Sequence, residues 1–208
     1  MFDCHTHVQF EAFKDDWKQA IERARTAGVS IINVGTQRDT SAKAVEVANQ
    51  YERGVYAAVG LHPTHTTKSH HDEAELGGGP AAKAFTSRGE EFDYEYYLKL
   101  ARDPKVVALG ETGLDYYRLT ADSQELTASQ IKEKQRQVFL QHVKIAQETG
   151  KALMIHCRPS KGTDDAYEDL LSLLQPTTYN LPPVVLHFYV GSPVMTKKFL
   201  EAGFNFEF

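Results

Sequence analysis

The hydrophobic and polar positions of this chain follow two different periods, one typical of buried strands and one typical of amphipathic helices. Short apolar runs, or alternating segments, predict strands at 1–7, 29–34, 55–60, 106–109, 152–155, 184–186 and 204–208. Apolar residues spaced three or four apart predict helices at 15–27, 40–51, 94–101, 128–149, 165–174 and 193–202. Because strands alternate with helices, the pattern predicts a parallel sheet.

The ends of the predicted strands favour a barrel over a doubly wound sheet. Several strands end on histidine or glutamate, and the carboxyl ends of all the strands in a barrel converge on one mouth. We therefore expect a TIM-type (β/α)8 barrel that is truncated after strand seven, formed as a single domain by residues 1–208. A polar insertion at about 64–92 contains the sequence Gly77-Gly78-Gly79-Pro80 and interrupts the alternation.

Composition and charge narrow the class of protein. Hydrophobic residues make up 41% of the chain and charged residues 25%, as in ordinary globular proteins. The apolar runs are too short for a membrane helix, and the first residues lack the basic region of a signal peptide, so we expect a cytoplasmic protein with no membrane contact. The net charge of -5 argues against a broad nucleic-acid footprint, but it is compatible with a phosphate substrate held by metal ions.

Histidines and one glutamate at the predicted strand ends indicate a metal site. His5 and His7 are two residues apart, so on an extended strand both rings lie on the same side and can share one ion. Any one of these histidines, taken alone, could equally be a satisfied core or surface residue. Their convergence with a glutamate at one barrel mouth favours metal binding. The candidate ligands are His5, His7, Glu111, His156 and His187.

The kinds of ligand suggest the kinds of metal and of reaction. Imidazole and carboxylate suit Zn, Mn, Fe or Co better than Mg, although Mg remains compatible where water and substrate oxygens complete the shell. Glu111 has two oxygens and can bridge two ions. Two bridged divalent ions would activate a water molecule and stabilise both oxygens of a phosphodiester displacement.

Several motifs together resemble the TatD family of metal-dependent deoxyribonucleases, in the metallo-dependent hydrolase superfamily. The resemblance rests on residues 3–7, 59–63, 109–117, 155–158 and 186–188, and the GETGLDYY stretch is its most specific part. It implies a TIM-type barrel with two divalent ions, Zn, Mn or Mg, that hydrolyses DNA from the 3′ ends of single strands. It also implies that His5 and His7 bind the first ion, that catalytic Glu111 bridges, and that His156 and His187 bind the second.

The chain departs from the family pattern in two respects. The family continues to a Glu-Thr-Asp-x-Pro segment on strand eight, whose aspartate is a metal ligand, and the 208 residues contain no such segment. We therefore expect an incomplete stretch of a longer protein, in which the second ion is the better retained. The insertion after His65 is also longer than usual.

Four further residues are expected to support the site. Arg158 can bind a phosphate, with a salt bridge at the barrel rim as the alternative. His62 can face the substrate, with a structural role in its turn as the alternative. Tyr116 can stack on a base, with packing as the alternative. Asp115 is expected to hold one of the ligand histidines in place.

Two other functions stay open at this point. An amidase, lactonase or deacylase can use the same barrel and metals, and a lysine bridging the ions at a strand end would favour that function. Lys151 precedes its strand, so the nuclease remains the leading hypothesis. A third hypothesis, from a different class of function, is that the chain is a catalytically incompetent fragment or a binding module. No protein partner can be inferred.

Overall fold

The computed structural model describes residues 1–71, 85–117, 119, 126–175 and 181–207. Nine strands occur in these residues: β1 (Phe2–Thr6), β2 (Ser30–Val34), β3 (Val55–Val59), β4 (Lys68–His71), β5 (Phe85–Arg88), β6 (Val106–Asp115), β7 (Ala152–Arg158), β8 (Val184–His187) and β9 (Asn205–Glu207). The α-helices in the same ranges are α1 (Trp17–Thr26), α2 (Arg38–Ala48), α3 (Tyr94–Ala101), α4 (Ala128–Thr149), α5 (Asp165–Leu174) and α6 (Pro193–Glu201). None of these helices combines the length and apolar character that a membrane span requires.

Seven of the described strands form one parallel sheet, as the alternation of strands and helices predicts. Their order is β1-β2-β3-β6-β7-β8-β9, and every neighbouring pair is parallel. The remaining two, β4 and β5, pair antiparallel as a separate ribbon within the predicted insertion. The glycine-rich part of that insertion, residues 72–84, lies outside the described residues.

The long helix α4 shows why most element boundaries could be predicted. Thr127 and Gln130 form a capping box at its start, and Gly150 adopts a left-handed conformation, with φ of 66°, at its end. Most of its apolar side chains, including Phe139 and Ile145, are buried. The predicted 128–149 therefore matches the observed helix.

Strand β6 is longer than predicted. The prediction ended the strand at Leu109, before Glu111, whereas the strand continues to Asp115 with an irregular register to β7 between Leu109 and Thr112. A side chain at Gly113 would lie 2.0 Å from the carbonyl oxygen of His156. The glycines therefore let β6 lie against β7 rather than turn away.

The contact between His5 and His187 shows that the sheet is curled. His5 is on β1 and His187 is on β8, five strand spacings away in the sheet order. In a flat sheet five spacings would separate them by about 24 Å. Their rings instead stack with centroids 3.5 Å apart. The sheet therefore bends round until the carboxyl ends of distant strands meet at one mouth.

Candidate metal centre

Glu111 lies at the middle of the barrel mouth and is 6% exposed. Its Oε2 is 3.4 Å from His5 Nε2, on one side. Its Oε1 is 3.5 Å from His62 Nε2 and 3.1 Å from His156 Nδ1, on the other side. The two carboxylate oxygens thus face different histidines, which is the arrangement that a bridging carboxylate requires.

Two groups of potential metal ligands share this glutamate. In each group, three donor atoms lie within 4.8 Å of one another. One group consists of His5, Glu111 and His187. We call it the edge group, because β1 and β8 lie at or beside the edges of the described sheet. The central group consists of His62, which follows β3, Glu111, within β6, and His156, in the carboxyl-terminal half of β7.

His7, the remaining predicted ligand, lies beside the edge group. Its Nε2 is 3.1 Å from His5 Nε2, and its Nδ1 donates to the carbonyl oxygen of Val34 at 2.8 Å. This hydrogen bond leaves the Nε2 lone pair available for a metal. Burial, together with the proximity of His5, lowers the pKa of His7, so the ring stays neutral as a ligand must.

The grouping differs from the predicted pairing in two respects. His187 was expected to share an ion with His156, but it stacks on His5. His62 was expected to contact substrate or to have a structural role in its turn. Its Nδ1 accepts a hydrogen bond from the Thr64 N–H in that turn, while its ring lies 4.3 Å from that of His156 and its Nε2 faces Glu111. Curling of the sheet explains the first difference, because it brings β8 round to β1.

The central group has a strong internal charge arrangement. His156 Nδ1 is 3.1 Å from Glu111 Oε1, and His156 Nε2 is 2.8 Å from Asp115 Oδ2, the contact that the predicted role of Asp115 requires. Burial lowers the pKa of His156, but hydrogen bonds to Asp115 and Glu111 outweigh it and raise the pKa to about 10. Burial raises the pKa of Glu111, but His62, His156 and His5 hold it well below its usual range. Without metal, His156 is therefore an imidazolium between two carboxylates.

The histidine His187 of the edge group differs from His156 in its charge. Burial, followed by the effect of His5, lowers the pKa of His187 to about 4, so this ring is neutral. Its Nδ1 lies 3.3 Å from Glu207 Oε2 at the end of β9. Sequence reasoning did not identify Glu207, although its place near the end of the last predicted strand was a usable signal.

The donors present fit a divalent metal ion. Buried imidazole nitrogens and carboxylate oxygens within a few ångströms of one another are typical ligands for Zn and Mn. In addition, His5 Nδ1 is buried with no hydrogen-bond partner in the described residues. The neutral rings of His7 and His187 would bind metal without first losing a proton.

The residues at the rim that were predicted to bind substrate differ in their exposure. The Arg158 guanidinium lies 3.9 Å from the ring centroid of Tyr117, which is 39% exposed. Tyr116 is 2% exposed, and its hydroxyl donates to Asp169 at 2.8 Å. Of the two roles considered for Tyr116, the structure agrees with packing, because the ring is buried in the core and is not available to stack on a base. Its exposed neighbour Tyr117 is the better candidate.

Two polar residues on the buried face of α4, Gln135 and His142, were also missed by sequence reasoning. They contact the backbone and side chains of residues next to the ligands. Their signal was the occurrence of a histidine and a glutamine at core-facing positions of an otherwise apolar helix face.

Fold and site together define an α/β barrel with clustered histidines and carboxylates, suited to hold metal ions, towards the carboxyl ends of its strands. The family model described as TatD related DNase matches residues 2–208, and the chain belongs to this family.

Relatives with curated names show the same affiliation. The chain is 30% identical over 204 residues to the 3'-5' ssDNA/RNA exonuclease TatD of Klebsiella pneumoniae (strain 342), covering 98% of this chain and 64% of the relative. It is 32% identical over 212 residues to the uncharacterized metal-dependent hydrolase TatD of Mycobacterium tuberculosis, covering 98% and 66%. The chain thus spans about two thirds of the length of these relatives.

Solved structures confirm the predicted barrel fold. The TatD homologue YJJV from Escherichia coli k12 superposes with a TM-score of 0.67 at 25% identity, covering 99% of this chain and 66% of that one. The TatD family hydrolase from Entamoeba histolytica gives a TM-score of 0.70 at 23% identity, covering 99% and 64%.

Proposed function

We propose that this chain forms the catalytic domain of a metal-dependent nuclease that hydrolyses DNA phosphodiester bonds by a 3′–5′ exonuclease reaction on single strands. The observation that supports the proposal is the position of Glu111, whose two oxygens face two separate groups of histidines. The printed name of the Klebsiella relative, an ssDNA/RNA exonuclease, supports the substrate class. A cytoplasmic location is part of the same proposal.

Two divalent ions, Zn, Mn or Mg, are proposed as cofactors. His5, His7, His187 and one oxygen of Glu111 would hold the first ion, and His62, His156 and the other oxygen would hold the second. When bound, two such ions supply a Lewis acid and an activated water for displacement at phosphorus. This assignment keeps all five predicted ligands and adds His62.

The protein groups around the ligands keep the donor atoms directed at the ions. Asp115 accepts from His156 Nε2, so that Nδ1 is the nitrogen that faces Glu111. Glu207 performs the equivalent role on the edge side, where it accepts from His187 Nδ1. Such carboxylate contacts fix the tautomer and orientation of a ligand histidine.

The rim of the mouth offers groups suited to a single nucleic-acid strand. Arg158 has a planar guanidinium that can bind a phosphate through two hydrogen bonds, and the Tyr117 ring supports it by a cation–π contact. Phe188, directly after His187, is 69% exposed. Exposed aromatic rings are typical stacking surfaces for unpaired bases.

The amidase, lactonase or deacylase alternative has less support. Lys151 precedes β7, which begins at Ala152, whereas His156 lies near the carboxyl end of the strand. Lys151 therefore lies at the opposite end of β7 from Glu111 and His156. The two ligand groups among the described residues share Glu111.

The test is turnover of the metal-free chain after addition of Mn²⁺, Zn²⁺ or Mg²⁺. The substrates are a single-stranded oligonucleotide labelled at its 5′ end, the same strand with a blocked 3′ end, its duplex, a p-nitrophenyl ester and a small amide. We expect stepwise shortening of the unblocked single strand, with much slower reaction on the other four.

Two variants serve as controls for this measurement. Glu111→Gln should be inactive, whereas Glu52→Gln, the same change at a carboxylate that is 87% exposed, should match the parent. Faster turnover of the ester or the amide than of DNA would overturn the proposed function. Equal activity of Glu111→Gln and parent would overturn the assigned site.

A further inference from the structure

Two polar side chains on α4, Gln135 and His142, lie in the core behind the metal centre. They are 2% and 0% exposed, respectively. They are seven residues apart, which is about two helical turns, so both face the sheet. Buried polar groups need partners, and the partners of these two are specific.

Gln135 binds the main chain of Asp115 with both ends of its amide. The Asp115 N–H donates to Gln135 Oε1 at 2.9 Å, and Gln135 Nε2 donates to the Asp115 carbonyl oxygen at 3.1 Å. This pair of hydrogen bonds fixes the end of β6 against the helix. The Asp115 side chain is thereby held where it accepts from His156.

His142 links β3 to β6. The backbone N–H of Leu61 donates to His142 Nε2 at 3.0 Å, so the proton is on Nδ1. The Nδ1 group lies 3.0 Å from Thr112 Oγ1 and 2.8 Å from the carbonyl oxygen of Val138. Burial lowers the pKa of His142 to about 4, in agreement with this neutral tautomer.

The residues that these two side chains contact are neighbours of the central group. Leu61 precedes His62, Thr112 follows Glu111, and Asp115 accepts from His156. One rigid helix therefore contacts a point next to each ligand of the central group. In the described residues, neither side chain has a hydrogen bond to His5, His7 or His187 of the edge side.

We propose that Gln135 and His142 are positioning residues for the central metal ion, setting the placement of His62 and, through Asp115, of His156 relative to Glu111. This inference rests on the proposed metal centre. A purely structural role would change the stability of the fold alone. A positioning role also changes the affinity for one ion and leaves the other ion unaffected.

The test measures Mn²⁺ affinity by calorimetry and thermal unfolding on the same metal-free variants of the full chain. Gln135→Met and His142→Leu remove the hydrogen bonds while keeping similar volume. Each is combined with His187→Ala, which disables the edge group, and separately with His62→Ala, which disables the central group. We expect about tenfold weaker binding in the first background and no change in the second.

Three controls separate positioning from stability. Val143→Ala, at a position that is 2% exposed on the same helix, should lower the unfolding temperature but leave both affinities unchanged. Gln137→Met, at an exposed position, should change neither quantity. His142→Gln retains an acceptor for the Leu61 N–H and a donor for Thr112, so it should restore affinity.

The outcomes distinguish this inference from the proposed function. If the parent binds Mn²⁺ and the variants bind it equally well at both groups, the positioning role is wrong and the metal centre stands. If the parent binds no Mn²⁺, the proposed centre itself fails, and the positioning role fails with it. If Gln135→Met does not fold, Gln135→Glu keeps the acceptor for Asp115 N–H, and the same loss of affinity at the central group is expected.

Discussion

The edge group and the central group use the same glutamate but differ in what surrounds their histidines. The central group lies on interior strands, and its His156 is bound at both ring nitrogens by carboxylates. The edge group lies on strands at or beside the sheet edges, and its two rings stack on each other at 3.5 Å. The central group is fixed by hydrogen bonds, whereas the edge group is held chiefly by ring packing.

This difference has consequences for metal binding. The central group must lose the proton of His156 when a metal ion enters, because the pKa of that ring is raised to about 10 in the metal-free protein. On the edge side, the rings of His7 and His187 are neutral, because burial lowers the pKa of both. We therefore expect binding of the central ion to depend more strongly on pH than binding of the edge ion, and the expectation that the second ion is the better retained stays a prediction.

The largest expected effect is the loss of one ion while the other stays bound. His156→Gln should weaken the central ion by more than about a hundredfold, since even partners of ligands contribute up to that amount, and leave the edge ion in place. His187→Gln should do the reverse. Metal content after dialysis would measure both. Loss of both ions from either single variant would contradict the separation into two groups.

A smaller effect is expected from the partner of His156. Asp115→Asn keeps the shape of the side chain but removes the charge that faces His156 Nε2, so the central ion should bind about 10- to 100-fold more weakly. Calorimetric titration with Mn²⁺ would give the affinity. Asp93→Asn, at a surface carboxylate paired with Arg38, is the matched control and should have no effect on either ion.

The central group should also make the stability of the metal-free fold depend on pH. The folded pKa of His156, about 10, is above its ordinary value of 6.5. Its contribution to the free energy of unfolding is therefore fully present below about pH 6.5 and is lost as the pH rises towards 10, by an amount on the order of a few kcal/mol. Urea unfolding of the parent and of His156→Gln across this range should show the extra decline in the parent alone. Parallel curves would show that His156 is not an imidazolium between carboxylates.

The smallest effect is expected at the edge group. Glu207→Gln removes the charge next to His187 Nδ1, but that contact is 3.3 Å long and the Glu207 side chain is 19% exposed. We expect the edge ion to bind at most about tenfold more weakly. An unchanged central affinity in the same titration is the internal control. A larger loss of affinity at the central group would contradict the assignment of Glu207 to the edge group.

Much of the fold was predictable because its signals are local. Strand and helix periods, the Thr127 cap and the Gly150 stop lie within a few residues of the elements they define. One exception was β6, where glycines that usually indicate a turn instead allow close contact with β7. That contact involves residues about 45 positions away, so no local pattern shows it.

The candidate site was predictable as a set of residues but not as a geometry. The histidines and Glu111 could be found because each follows an apolar run, and strand ends of one barrel converge. Which histidine faces which oxygen depends on how the sheet curls, so the places of His62 and His187 were not available from the sequence. Tyr116 and Tyr117 are adjacent, and only the packing of β6 decides which of them is exposed.

We propose above that Glu111 bridges two ions through its two oxygens. The most direct measurement is anomalous diffraction from crystals of the chain soaked in Mn²⁺. We predict two anomalous peaks, one between His5, His187 and Glu111 Oε2, and one between His62, His156 and Glu111 Oε1. A single peak, or two peaks that share no oxygen of Glu111, would contradict this account.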